Sequence, residues 1–358
     1  MRNKENMNEI LDYLQTIEER ELCFDNEAIA EAYQKDSDSQ SLSIKILSVF
    51  GGILASLAII GFIYIARLFD SEIGLLVFGT ICIASAILIS KKYDKIIVDT
   101  LCVSFFIIGF ILIGFGFAWL KIHNNTICVI FIILALSSLS IVRNYILSLV
   151  SVLIINGSIL TLIVQNRDYD LIHIYVSAMA LIITYLFLKE AKIITENKFF
   201  SQLYNPVRAG LTISFFAGLS FLGIKNGVFP MSPDYIWFSS IVIISAIIYL
   251  TSILFSVLNI TKMQHKIVIY IFTVLALLPT ALSPAISGAI LIVLLSFFVN
   301  YKTGLVLGIT AFVYFISQYY YDLNFTLLTK SILLFSSGVI FIALYLFTHK
   351  KLTTDEKI

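Results

Sequence analysis

Charged residues are scarce in this chain. Only 13% of its 358 residues are Asp, Glu, Lys or Arg, and 59% are hydrophobic, whereas about a quarter of a soluble domain is charged. The mean hydropathy of +0.95 excludes a soluble globular protein. Each membrane crossing takes about 20 apolar residues, so we predict an all-α, polytopic integral membrane helix bundle of about 12 transmembrane helices. The lipid bilayer is its first expected partner.

Cysteine and excess charge are also lacking. The chain has 4 cysteines without paired spacing, and three of them lie in apolar runs, where a thiol behaves as a small hydrophobe. A disulfide framework is therefore not expected. The formal net charge of +1 gives no electrostatic basis for binding nucleic acid.

Enzyme signatures are missing as well. The sequence has no P-loop, no Gly-rich dinucleotide fingerprint and no His-Glu-x-x-His pair, the motifs that position phosphates, nicotinamide cofactors and catalytic zinc. Its four histidines are scattered over different loops and helix ends. We expect a protein that is not an enzyme and that holds no cofactor or metal.

The N-terminal segment, residues 1–45, differs from the rest by being acidic. It carries five basic and eleven acidic residues, and its first long apolar run begins only near Ile46. No basic stretch followed by an apolar core marks a cleaved signal peptide, so the first crossing is expected to be an uncleaved anchor. Ile10, Leu11, Leu14 and Ile17 form one helical stripe. Two interpretations stay open: a cytosolic helical head and linker covering the bundle, or a docking site for other membrane proteins.

Apolar runs between charges predict twelve crossings. The spans are 46–66, 73–90, 96–120, 127–142, 145–164, 171–188, 209–224, 235–258, 267–282, 284–299, 304–319 and 323–347. The ninth and tenth are separated only by a turn between Pro279 and Pro284, which we take as a hinge. As one helix they would run about 52 Å, against a hydrocarbon core of roughly 30 Å. A tight hairpin is favoured over a re-entrant pair.

The distribution of positive charge predicts the orientation. With twelve spans, nineteen Lys and Arg residues fall on one side and five on the other, and cytoplasmic loops carry the excess. Both termini are therefore expected in the cytoplasm, with the chain in a bacterial inner membrane. The predicted parts are the head (1–45), six spans (46–188), a basic cytoplasmic loop (189–208), six further spans (209–347) and a cytoplasmic tail (348–358). This six-plus-six layout resembles that of transporters built from repeats.

Two charged residues fall within predicted spans. Lys330 lies about 10 Å into the last one, and Asp99 lies in the first turn of the third. A charge in a bilayer is costly and is a functional candidate by default. For Lys330 the alternatives are a lysine that extends to the interface or a buried cation paired with an acid. For Asp99 they are a favourable charge at a helix N-terminus or a proton or cation site.

Aromatic and polar residues collect near the end of the eleventh span. The cluster consists of Gln318, Tyr319, Tyr320, Tyr321 and Asp322. An aromatic belt at the membrane interface produces such clusters without any ligand. The alternative is an outward-facing pocket in which the rings stack a ligand and the acid selects a cation.

The C-terminal part of the chain carries a family resemblance. The segments Pro284-Ala285-Ile286-Ser287, Phe315 to Leu323 and Thr326 to Ser331, together with Leu47 to Ala55 in the first span, resemble a bacterial multi-pass membrane family, domain of unknown function 4401. The resemblance implies a membrane helix bundle in the inner membrane and no particular mechanism. It makes Lys330 and the tyrosines the motif-matched positions.

Two functions remain open from the sequence. The number of spans, the layout and the few intramembrane polar groups favour a transporter-like permease for a small solute. The alternative is a non-catalytic membrane scaffold or envelope sensor that assembles with other membrane proteins through residues 1–45. A lipid-modifying enzyme inside the membrane ranks third, because no acid and base groups lie at matched depth.

Overall fold

Helices account for nearly every described residue, as a bilayer requires of a backbone that must satisfy its own polar groups. The computed structural model describes residues 42–65, 71–92, 96–223, 235–257 and 262–322, with a few single positions between 328 and 342. Within these ranges the chain forms twelve α-helices, one 3₁₀ helix and no strand. The helices are α1 (Leu42–Ile65), α2 (Glu72–Lys92), α3 (Ile96–Trp119), α4 (Asn124–Ile141), α5 (Tyr145–Asn166), α6 (Leu171–Leu188), α7 (Glu190–Glu196), α8 (Lys198–Gly223), α9 (Ile236–Val257), α10 (Met263–Leu277), α11 (Pro284–Phe298) and α12 (Lys302–Asp322).

Seven of the described helices are long and apolar enough to cross a membrane, namely α2, α3, α4, α5, α6, α9 and α12. This indicates a membrane protein and confirms the all-α class. Each of the first eleven predicted spans falls on a helix, and the twelfth, 323–347, lies almost entirely outside the described residues together with the acidic head. The prediction of about twelve crossings therefore stays a prediction.

The segment 189–208, expected as a loop, is helical along most of its length. It contains α7 and the first turns of α8, which continues without interruption to Gly223. Pro206 lies inside α8, where it removes one backbone hydrogen bond. Leu203 and Tyr204 are buried, so this part of α8 packs on the bundle instead of extending into water.

Pro279 and Pro284 separate α10 from α11. Pro279 lies in the 3₁₀ helix Leu278–Leu282, and Pro284 is the first residue of α11, a position where proline's missing N–H costs nothing. The two helices are 15 residues each, or about 22 Å long. They are thus two separate helices, as predicted. Whether the prolines act as a hinge remains a prediction.

Buried apolar side chains form two main cores. One is built by α2, α3, α4 and the first half of α5. The other is built by the end of α5 with α6, α8, α9, the end of α10, α11 and α12. The helix α6, which the six-plus-six layout assigns to the first half, packs in the second core. The division in space therefore falls along α5 and not at residues 189–208.

The helices α2 and α3 approach each other through glycine. A Cβ atom added at Gly109 would lie 2.5 Å from Ile83 Cγ1 and 2.8 Å from the carbonyl oxygen of Gly79. Such small residues allow membrane helices to pack backbone to backbone. The first core depends on this close contact.

Candidate functional site

Two charged side chains are buried in the described part of the bundle, Asp99 and Arg208. Both lie at the same end of the bundle. Asp99 is in the first turn of α3, next to the start of α5, and Arg208 is near the start of α8, next to the end of α6. A buried charge in a membrane protein needs a specific set of partners. The partners of Arg208 form the larger of the two clusters.

Arg208 is held by an acid and an amide. Its Nη1 donates to Glu190 Oε1 at 3.0 Å, and its Nη2 donates to Asn205 Oδ1 at 2.9 Å. The side chain of Arg208 is 9% exposed and that of Glu190 is 24% exposed. Glu190 is the first residue of α7, where its negative charge also suits the helix N-terminus. The short helix α7 thus brings the carboxylate to the guanidinium.

Three aromatic rings surround the guanidinium of Arg208. Its Cζ lies 3.9 Å from the ring centre of Tyr301, 4.8 Å from that of Tyr204 and 5.6 Å from that of Phe187. These rings come from the α11–α12 turn, α8 and α6, so three parts of the second core converge on one cation. We call Arg208, Glu190, Tyr204, Tyr301 and Phe187 the arginine cage. Cation–π contacts of this kind gain strength when they are shielded from water.

A tight turn positions Tyr301. Asn300 has a φ of 55°, a left-handed conformation that asparagine tolerates better than most residues. The Tyr301 N–H then donates to the Ser296 carbonyl at 2.8 Å, which closes the end of α11. The ring is thereby directed back onto the bundle.

Both tyrosines of the arginine cage are protonated at neutral pH. Burial raises the pKa of Tyr204 to about 12, although the Arg208 charge lowers it and Glu190 adds to the rise. Burial also raises the pKa of Tyr301, again against the lowering effect of Arg208. The Tyr204 hydroxyl donates to the Leu186 carbonyl at 3.2 Å. The rings therefore act as neutral aromatic faces and not as phenolate counter-ions.

The arginine cage leaves two polar atoms without a protein partner. Arg208 Nε and Glu190 Oε2 are buried and make no hydrogen bond. One is a donor and the other an acceptor. Buried polar atoms in this condition call for a ligand, a water molecule or a rearrangement, and the pair matches a small polar molecule that both accepts and donates.

Further polar groups line the contact of α5, α6 and α8. The Tyr175 hydroxyl donates to Asn156 Oδ1 at 3.1 Å and to the Ser214 carbonyl at 3.4 Å. Thr212, one turn after Arg208 on α8, is fully buried, and Ser177 on α6 has a buried hydroxyl without a partner. Polar side chains thus continue from the arginine cage into the bundle.

A buried histidine lies at the opposite end of α6. The Nδ1 of His173 is 3.0 Å from Ser239 Oγ on α9, and its Nε2 is buried without a partner. His173 is the third residue of α6 and therefore lies at a helix end, one of the positions that the sequence predicts for the histidines. Its neighbour Asp170 directly precedes α6.

Asp99 accepts a hydrogen bond from Asn144, the residue that caps the N-terminus of α5. It is 4% exposed, and one of its carboxylate oxygens accepts from Asn144 Nδ2 at 2.7 Å. The Asn144 Oδ1 in turn accepts from the backbone N–H groups of Ile146 and Leu147, which begin α5. The arrangement favours the structural interpretation of Asp99, and the proton or cation site stays a prediction.

Replacing Asn144 with alanine is expected to lower the free energy of unfolding by about 2 kcal/mol. The change removes an N-cap, worth about 0.5–2 kcal/mol, and a hydrogen bond to a buried carboxylate. Thermal unfolding in one detergent measures the effect. Asn197→Ala is the matched control, because Asn197 also caps a helix, through Phe199 N, but is exposed. Equal losses in the two variants would contradict a structural role for the Asp99 contact.

The remaining predicted residues do not join the arginine cage. Lys330 lies outside the described residues, as does the side chain of Asp322. Gln318, Tyr319 and Tyr320 are half-buried and Tyr321 is 77% exposed, at the end of α12 remote from Tyr301. The aromatic belt and the outward-facing pocket both stay predictions. Within the described ranges, no group of three or more His, Cys, Asp or Glu side chains is placed to hold a metal ion.

Sequence reasoning missed the arginine cage. The charge pattern places Arg208 in a basic loop, and its partner Glu190 lies 18 residues from it. The local signal was the spacing of Tyr204 and Arg208, four residues apart and therefore neighbours on one helix face.

Comparison with known proteins gives one family. No curated protein matches the chain, and no solved structure matches it. The family described as Domain of unknown function (DUF4401) matches residues 41–351, which leaves out only residues 1–40 and 352–358. The chain belongs to this family, DUF4401.

Proposed function

We propose that this chain is a transporter-like, multi-pass permease for a small solute in the bacterial inner membrane. Both termini lie in the cytoplasm by the distribution of Lys and Arg, so the arginine cage lies at the cytoplasmic end of the bundle. The protein carries out no chemical reaction and uses no cofactor. The solute enters or leaves through the arginine cage.

The burial of Arg208 carries this proposal. An ion pair removed from water costs desolvation energy, and apolar residues of similar volume often stabilise a protein as well or better. A scaffold would therefore gain little stability, compared with apolar side chains, from a guanidinium 9% exposed inside three aromatic rings. A permease gains a group that recognises a polar solute and releases it when the site opens.

The buried polar contact of α5, α6 and α8 supports the proposal of a solute route from the arginine cage. Thr212 and Ser214 on α8, Tyr175 on α6 and Asn156 on α5 are all buried. In membrane proteins, polar side chains buried between packed helices are typical of solute and ion pathways. The route leads toward the end of the bundle where His173 lies.

A thermal-shift screen tests the proposal. The purified full-length protein in detergent is heated with carboxylates, amines, amino acids, sugars and inorganic anions, chosen because the arginine cage offers one free donor and one free acceptor. A ligand at 100 times its Kd raises the stability by about 2.7 kcal/mol. We expect at least one class to raise Tm in a dose-dependent way and to cross proteoliposome membranes containing the protein.

Two arginine variants test whether the rise in Tm comes from binding at the arginine cage. Arg208→Lys keeps the charge but loses the planar fork and the ring stacking, and it should abolish the shift. Arg143→Lys makes the same change at an exposed arginine of the same end and should leave the shift intact. A screen without any shift, together with co-purifying proteins that are lost on deletion of residues 1–40, would favour the scaffold function instead.

A further inference from the structure

A groove with a volume of about 370 Å³ opens between α6 and α9. Its walls include Leu181, Tyr185 and Leu188 on α6 and Ile241, Val242 and Tyr249 on α9. Both helices are long and apolar enough to cross a membrane. As the described residues place it, the groove therefore faces lipid and not water.

The two aliphatic hydroxyl groups in the groove are already satisfied. The hydroxyl of Thr184 donates to the Ala180 carbonyl at 2.7 Å, and that of Ser245 donates to the Ile241 carbonyl at 2.7 Å. An occupant thus needs no hydrogen-bonding groups at these two positions. A hydrocarbon chain meets this condition, whereas a polar solute would lose its hydration against mostly apolar walls.

The length of the groove matches one leaflet. Its α6 wall runs from Leu181 to Lys189, a rise of about 12 Å over eight helical steps, and half of the hydrocarbon core measures about 15 Å. Lys189 directly follows the last residue of α6, at the depth where the headgroup region begins.

One end of the groove is positively charged. Lys189 is the charged residue in the lining, and within the described ranges it makes no ion pair, because the neighbouring Glu190 is bound to Arg208. A lysine near the membrane surface attracts anionic lipid.

From these features we propose that the groove binds one anionic phospholipid, with an acyl chain between α6 and α9 and the phosphate at Lys189. This lipid site is separate from the arginine cage and does not depend on transport. It gives the protein a preference for membranes rich in acidic lipid on that side.

Native mass spectrometry of the full-length protein tests the site. The protein is titrated in detergent with dioleoylphosphatidylglycerol or with dioleoylphosphatidylcholine, and bound lipids are counted. We expect one tightly held phosphatidylglycerol and weaker binding of phosphatidylcholine. Lys189→Gln should raise the Kd for phosphatidylglycerol about fivefold, the effect of one surface lysine, and leave phosphatidylcholine unchanged.

Two matched controls make the test specific. Lys302→Gln removes an exposed lysine at the same end of the bundle, outside the groove, and should leave the Kd unchanged. Ser245→Trp fills the groove and should reduce binding of both lipids, whereas Ser137→Trp should not, because Ser137 is an exposed α4 serine with the same type of backbone bond.

Three results would overturn the proposal. Equal effects of Lys189→Gln and Lys302→Gln on the Kd for phosphatidylglycerol would show that Lys189 does not bind the headgroup. Unchanged lipid counts in Ser245→Trp would show that the acyl chain does not lie in the groove. Loss of a dimer in Ser245→Trp, with lipid retained, would show that a second copy of the chain occupies the groove.

Discussion

Replacing Arg208 with alanine is expected to lower the free energy of unfolding by about 3 kcal/mol. Removing one partner of a buried ion pair typically costs about 3–5 kcal/mol, and the lower end applies because Glu190 is 24% exposed. The change leaves a partly buried carboxylate without its cation. It also removes the contacts of the guanidinium with Tyr301 and Tyr204, each worth about 0.5–2 kcal/mol.

Chemical or thermal unfolding in a single detergent measures this loss. The matched control is Arg143→Ala, an exposed arginine at the same end of the bundle, which should change stability by less than about 0.5 kcal/mol. The double variant Arg208→Met with Glu190→Leu should recover most of the stability, because no unpaired charge remains. If the double variant were as unstable as Arg208→Ala, the loss would come from packing and not from the ion pair.

Replacing Gly109 with alanine is expected to cost about 2–3 kcal/mol. The new Cβ would lie 2.8 Å from the Gly79 carbonyl oxygen and 2.5 Å from Ile83 Cγ1. A side chain can turn aside, but the backbone of α2 cannot, so the two helices must separate. Overpacking of this kind costs about 1–3 kcal/mol, and α1 also packs on this pair through Ser56, whose hydroxyl donates to the Ser104 carbonyl at 3.2 Å.

Gly157→Ala supplies the matched control for Gly109→Ala. Gly157 also lies inside a long apolar helix, but a Cβ there meets nothing within 4 Å. Alanine should therefore be neutral or stabilising by roughly 0.5–1 kcal/mol, the helix-propensity difference. The same unfolding assay compares both variants. A loss in both would mean that flexibility of the glycines, and not the close approach of α2 and α3, is what the protein requires.

Local sequence determined the elements of this protein. Apolar runs of about 20 residues between charges predicted eleven spans that coincide with helices, because the length and hydropathy of a membrane helix are properties of one continuous segment. Pro279 and Pro284 likewise predicted the break between α10 and α11, since proline restricts the backbone on its own. The family resemblance in the C-terminal half was also readable from the residues alone.

Tertiary structure decided which faces are buried and which charges meet. On α6, Val176 is fully buried while Ile174, two residues earlier, is 58% exposed. Lipid is as apolar as the protein core, so no pattern of polarity in the sequence separates the two faces. The partners of Arg208 and Asp99 lie 18 and 45 residues away along the chain. Only the packing of α6, α7, α8 and the α11–α12 turn brings the arginine cage together. Apart from the spacing of Tyr204 and Arg208, contacts between distant segments leave no local trace in composition or spacing.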